Sequence, residues 1–343
     1  MACFEQWKQV IAMVGTSFCL AIVNILLKKV LNEGLDHLLI IFYRQIISTI
    51  FLSPIAYFLE RKSRPKTTVA ILCDHFLSAL IGVTLTQYLF LLGLKFTSAT
   101  FTCAFINMVP VNTFIMALPF GLEKVNLKHK SGRAKVFGAV VSVGGALLLT
   151  LYKGIPIRDL PTPLEDPKTG GTKRWGTGTL LLTGGSIMWS SWFLIQAKIG
   201  KTYPCQYSST AIISFFSTIQ SAILYIAIHR NISAWLIKGN LEILTVLFSG
   251  IVGSGLCYVV MSWCVKERGP VFTSAFSPLI QIFVAAFDIT FLHEQIHLGS
   301  VLGSILVVVG MYILLWGKIN EAALCNAIKP VTDPATTTAA EEI

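Results

Sequence analysis

Ten apolar runs separated by mostly short polar connections are what this sequence must first accommodate. They fall near residues 10–30, 38–59, 76–94, 98–120, 136–151, 179–199, 208–228, 243–265, 272–291 and 298–316. A helix rises about 1.5 Å per residue, so about 20 apolar residues cross a hydrocarbon core roughly 30 Å thick. Inside that core every backbone polar group must be bonded internally, which favours helices as the spanning element. Composition agrees, with 54% of residues hydrophobic and 13% charged, where soluble domains carry about 25% charged. The expected fold class is an all-α integral membrane protein of ten transmembrane helices. A net charge of +10 would suggest nucleic acid if it formed a basic face on a soluble domain. Here the cations sit between apolar runs, so the expected partner is the lipid bilayer, with no nucleic acid.

Orientation follows from Lys and Arg, which accumulate in cytoplasmic connections. With residues 1–9 inside, the inner segments hold 16 of them and the outer segments 10, five of these in the long connection 152–178. Both termini are therefore expected in the cytoplasm. The first run continues into Asn24 and Lys28 without a small-residue cleavage site, and is expected to remain as a helix. No cysteine falls in an outer connection and no disulfide is expected. A glycosylation sequon, Asn231-Ile232-Ser233, lies in an outer connection close to the end of its span. The segment 317–343 lacks apolar periodicity and is expected to be a disordered cytoplasmic tail.

The chain also repeats itself. An offset of 171 residues aligns 82–123 with 253–294 without a gap, matching Phe101-Thr102-Cys103-Ala104-Phe105 to Phe272-Thr273-Ser274-Ala275-Phe276 and Glu123 to Glu294. The halves are 10–151 and 179–316, joined by an extracytoplasmic loop, 152–178. Five spans per half is an odd number, so the second copy must run upside down relative to the first. Two inverted five-helix repeats are a common plan of secondary transporters, which hold their substrate near the midplane between the halves.

The repeat also directs attention to a place. Asn107 aligns with Pro278 and Pro110 with Gln281, so each of two related helices carries one proline and one amide with their order exchanged. Proline removes a backbone donor and loosens the preceding turn. The carbonyls so freed need partners, which a substrate-lined cavity supplies; the plainer alternative is a kink satisfied locally by the amide. Among ionisable residues within spans, which cost about 2.5–3.5 kcal/mol on insertion scales, two stand out. These are Arg44 and Asp288. They could form a structural pair, or Arg44 could fork onto a substrate carboxylate while Asp288 titrates or gates. Lys28, which could also snorkel to the interface, and Asn24, Gln87, Gln196 and Gln220 are further polar residues in the spans. Trp189, Trp192, Tyr258 and Trp263 could line a path or belong to packing. Gly144-Gly145 and the Gly303 to Gly310 spacing suit close helix approach.

Two motifs mislead. His293-Glu294-Gln295-Ile296-His297 fits H-E-x-x-H, but the repeat-related 122–126 segment keeps the glutamate and lacks both histidines, so the repeat explains the glutamate and no metal site is expected. Gly200-Lys201-Thr202 resembles the end of a phosphate loop, yet Ile195 stands where the pattern requires glycine. No cofactor is expected, and transport would draw on a gradient.

With these residues in view, the chain resembles the plant Walls-Are-Thin-related proteins, also called usually-multiple-acids-move-in-and-out transporters, of the EamA-type drug/metabolite transporter superfamily. The resemblance is carried by Asn24, Lys28 and Gly34, Tyr43-Arg44, Thr97-Ser98-Ala99-Thr100, Asn107, Pro110, Glu123, Tyr152-Lys153-Gly154, Gln196, Tyr203-Pro204, Gly269-Pro270-Val271-Phe272, Ser277-Pro278-Leu279, Glu294, Gly299, Gly303 and Trp316-Gly317-Lys318. It implies two EamA-type halves, no enzymatic activity, and movement of amino acids or auxin-like acids across the plasma or the vacuolar membrane. Relatives often carry arginine two positions before the first-half glutamate, where this chain has Gly121, which leaves an inner gate built on that arginine in doubt.

The sequence therefore reads as an alternating-access carrier of small organic acids, with amino acids or auxin-like acids as substrates and the plasma membrane favoured over the vacuolar one. Substrate-binding candidates are Arg44, Asn24, Lys28, Gln87, Asn107, Pro110, Gln196, Pro278 and Gln281. Candidates for gating or coupling are Asp288, Glu123 and Glu294. The rival reading is a receptor or scaffold that moves no solute, and a homo-oligomer remains open.

Overall fold

The computed structural model describes residues 2–32, 35–97, 102, 105–123, 129–151, 172–228, 239–291 and 298–328. Among them regular structure is helical throughout. The helices are α1 (Ala2–Asn32), α2 (His37–Glu60), α3 (Val69–Ala79), α4 (Thr86–Phe96), α5 (Val109–Ala117), α6 (Lys130–Leu151) and α7 (Thr172–Thr202). They continue with α8 (Gln206–Ile228), α9 (Asn240–Phe248), α10 (Tyr258–Arg268), α11 (Pro270–Ser274), α12 (Ser277–Phe291) and α13 (Leu298–Ile328). Among the described residues seven continuous stretches are long and apolar enough to cross a membrane: Trp7–Leu31, His37–Glu60, Val69–Leu94, Gly176–Thr202, Gln206–Ile228, Asn240–Arg268 and Pro270–Phe287. Two shorter apolar stretches, Phe105–Ala117 and Val308–Asn320, fall within the expected fourth span and across the end of the tenth.

Two stretches contain a π-helical segment, Leu80–Leu85 between α3 and α4 and Ser249–Cys257 between α9 and α10. The wider turn frees carbonyls, and Thr86 donates its hydroxyl to the Ile81 carbonyl at 2.7 Å in answer. Each segment holds a glycine against a helix of the other half. A Cβ on Gly82 would collide with the Trp192 indole of α7, and one on Gly253 would stand 3.3 Å from Val23 of α1.

Polar contacts as well as apolar ones hold the helices together. Water-driven association is absent in lipid, so small side chains and interhelical hydrogen bonds carry more of the packing. α8 turns a row of hydroxyls inward: Ser209 lies 3.0 Å from His75 Nε2, Ser214 3.0 Å from Ser48, and Ser217 3.1 Å from Thr84. Beside this row a core cluster gathers Trp192, Phe193, Cys264, Val265, Phe272 and Phe276. α6 and α13 meet backbone to backbone at Gly138, Gly310 and Gly317; a Cβ on Gly317 would stand 2.8 Å from the Ser131 carbonyl. Gly310 is thus placed as expected, whereas a side chain on Gly144 would meet nothing within 4 Å.

Helices overrun the expected spans. α1 begins at Ala2 and α7 at Thr172, and α13 runs to Ile328, where the sequence suggested a disordered tail from residue 317. The helix continues because its next turn has partners: Gly317 packs on α6 and Lys318 binds Glu123. The segments holding Asn231 and the histidine motif at 293–297 lie outside the described residues, as do residues 329–343.

Candidate functional site

A cavity of about 400 Å³ lies among α1, α2, α4, α5, α7, α10 and α12. It reaches from Leu31, His37 and Leu94, near the end where α1 passes into α2, down to Trp189, Tyr258 and Met261. Met261 and Val109 belong both to its wall and to the core cluster. Further along the chain, the residues of α11 are all buried. Apolar and aromatic side chains make most of the wall.

Four of the nine substrate-binding candidates line this cavity: Asn24 from α1, Arg44 from α2, Gln87 from α4 and Gln281 from α12. Arg44 is 9% exposed. Its guanidinium has room because π-helical Gly253 lacks a side chain, a Cβ there falling 3.4 Å from Arg44 Nη2. Among the described residues no carboxylate pairs with Arg44, and its buried Nε has no hydrogen-bond partner. Among the described residues no aspartate or glutamate lines the cavity. Asp288 lies on α12, but its side chain is outside the described set. The aromatic wall is ordered by stacking: Trp189 lies over Trp192 at 5.5 Å and meets Tyr258 edge-on at 6.2 Å. The amides and hydroxyls at Asn24, Gln87, Thr102, Ser277 and Gln281 can each orient a ligand oxygen or nitrogen.

The other candidates lie elsewhere. Gln196 is buried in a structural network, donating to Ser78 Oγ at 3.0 Å and facing Ser262 Oγ at 3.4 Å, which ties α7 to α3 and α10. Lys28 is exposed on α1 and is absent from the cavity wall. Neither proline is mid-helix. Pro110 stands at the second residue of α5 after a turn at Met108, and Pro278 at the second residue of α12 after a turn at 275–276. A proline in a helix's first turn costs no hydrogen bond and fixes a suitable φ, so each marks where a new helix starts. Asn107, three residues before Pro110, is buried with Oδ1 unpartnered, although the lining passes through its neighbour Ile106. Ser277, Thr102, His37 and Thr86 also line the cavity and were not singled out from sequence.

Glu123 lies away from the cavity, beyond α5. It accepts from Lys135 Nζ at 2.7 Å and from Lys318 Nζ at 2.8 Å. Burial alone would raise this carboxyl, but Lys318 and Lys135 outweigh it and hold the group below the usual carboxylate range. Lys318 belongs to α13, so one arm of the triad crosses between the halves. Gly121 sits in the turn just before, at φ +63°, where an arginine backbone would be strained. Glu294, the repeat-related acid, lies outside the described residues, and among those described no cluster of His, Cys, Asp or Glu could hold a metal.

The model of the EamA-like transporter family matches this chain twice, over residues 7–151 and 176–316. A WAT1-related protein of Arabidopsis thaliana is 51% identical over 321 residues, 92% of this chain and 88% of the relative. A second from the same plant is 50% identical, covering 93% of this chain and 88% of its own, and a third is 45% identical, covering 96% and 91%. One crystal structure, 13% identical, superposes with a TM-score of 0.68 over 89% of this chain and 97% of the other. At that identity the likeness speaks for the fold alone.

Proposed function

We propose, from the premise that this chain belongs to the EamA-like transporter family, that it is a secondary carrier of small organic acids working by alternating access. The observation that carries this reading is Arg44, a buried guanidinium that no carboxylate pairs among the described residues, set in the wall of a largely apolar cavity. A carboxylate entering the cavity satisfies both needs of that group, charge and hydrogen bonding. The two family matches support two five-helix halves of opposite orientation, hence ten crossings and both termini on the cytoplasmic side. On that orientation the cavity faces outward, and the Glu123–Lys318 pair ties the halves on the closed, cytoplasmic side.

The wall bears on the substrate. Among the described residues it offers a cation, neutral amides and aromatic faces but no acid for an ammonium group. This favours a monoanion with an apolar body, such as an auxin-like acid, over an amino acid. The test is flux of labelled indole-3-acetate and a panel of amino acids in proteoliposomes. Arg44→Ala should lower carboxylate flux about tenfold to a hundredfold, the effect of losing a charge-assisted contact. Gln281→Ala should alter selectivity within the panel. Carboxylate flux that is unchanged in a folded Arg44→Ala protein, or no flux of any member, would overturn the reading.

A further inference from the structure

A second hollow, of about 300 Å³, lies between α2 and α8 and shares no lining residue with the first. Its floor is built from small residues, Ser53 and Ala56 on α2 and Ala211 on α8, between the larger Tyr57 and Phe215. Tyr57 and Phe215 are about half exposed, as side chains facing lipid would be. At one end stands Arg64, in the turn that follows α2.

That turn is densely positive. Arg61, Lys62, Arg64 and Lys66 fall within six residues, and the Arg61 guanidinium lies 5.2 Å over the Tyr57 ring. The adjacent acid, Glu60, is already engaged: it accepts from the backbone of Tyr207 at 3.0 Å and of Ser208 at 2.7 Å, capping the start of α8. Among the described residues Arg64 has no acidic partner.

We infer that this groove binds an anionic phospholipid, with an acyl chain along Ala56 and Ala211 and the phosphate on Arg64. A mostly apolar slot ending at Arg64, in a turn rich in cations at a span's edge, has the polarity profile of such a lipid. A second copy of the chain fits less well. A two-fold axis along the membrane normal would bring the two clusters of cations together at the same depth.

Native mass spectrometry of the full chain in neutral detergent tests this, with phosphatidylglycerol and phosphatidylcholine of identical acyl chains as probes and inorganic phosphate as competitor. The expected result is about a fivefold preference for phosphatidylglycerol, the effect of one basic residue at an anionic surface. It should vanish in Arg64→Ala and survive in Arg64→Lys. Ala211→Phe, which fills the slot, should reduce adducts of both lipids. Equal retention of the two lipids, a preference that persists in Arg64→Ala, or displacement of phosphatidylglycerol by millimolar phosphate would overturn the assignment. Arg64 is exposed, so its variants fold even if the filled slot does not.

Discussion

Replacing Arg44 with methionine should stabilise the empty protein while abolishing carboxylate transport. A guanidinium held in the span without a counter-ion costs about 2.5–3.5 kcal/mol on insertion scales. Methionine keeps an unbranched stem of similar length, so packing against Gly253 is largely retained. The cavity partly solvates the arginine and offsets some of the cost, leaving an expected net gain of about 1–3 kcal/mol. Substrate reverses the comparison: a ligand at a hundredfold its Kd adds about 2.7 kcal/mol to a protein that binds it, and the variant should gain almost nothing. Unfolding in detergent followed by tryptophan fluorescence, with and without saturating indole-3-acetate, reads both quantities. If Arg44→Met instead loses about 3 kcal/mol or more, Arg44 has a structural counter-charge, and the argument for a substrate clamp fails.

Removing Glu123 should be costlier than removing either cation, because it leaves two lysines facing each other. Glu123→Gln should lose about 3–5 kcal/mol and Lys318→Met clearly less. Since the folded-state carboxyl is held below its ordinary value, its contribution is present above about pH 4.3, the unfolded value, and disappears as pH falls through the folded one. The stability gap between wild type and Glu123→Gln should therefore be flat from neutral pH to about 5 and narrow below about 4; a gap that persists at the lowest pH would exclude the charge as its source. Gly82→Ala drives a methyl group into Trp192 and should cost about 1–3 kcal/mol, while Gly144→Ala, with open space around it, should be neutral or slightly stabilising. Equal effects in the two would refute the packing assignment at the first π-helical segment.

Much of the fold was legible because bilayer thickness imposes one length on every spanning helix, and apolar runs of that length show in the sequence. Arg44 was legible for a related reason, since a charge within an apolar run requires a cause. Gln196 shows where this reasoning stops: an amide within a span reveals a polar need but not its direction, and here it turns towards Ser78 and Ser262 rather than the cavity. Ser277 and Thr102 were invisible, because hydroxyls can bond to their own helix and carry no signature of facing a cavity. The π-helical segments left no composition signal either. Their glycines aligned at the 171-residue offset, yet only the structure shows that the helix widens there and receives Trp192 in one half and Arg44 in the other. Likewise, the two prolines indicated a disturbed helix but not that each begins a new one.

The glycine contacts between α6 and α13 govern which motions the molecule can make. Where backbones touch at Gly138, Gly310 and Gly317, no cushion of side chains exists to slide over, and translating one helix along the other would drive carbonyls into amides within a fraction of an ångström. The pair therefore behaves as a keyed axle, locked against axial slip. Were the cavity to open on alternate sides, a swing of the remaining helices about this axle would leave these contacts intact, and residues far from it would travel the longest arc.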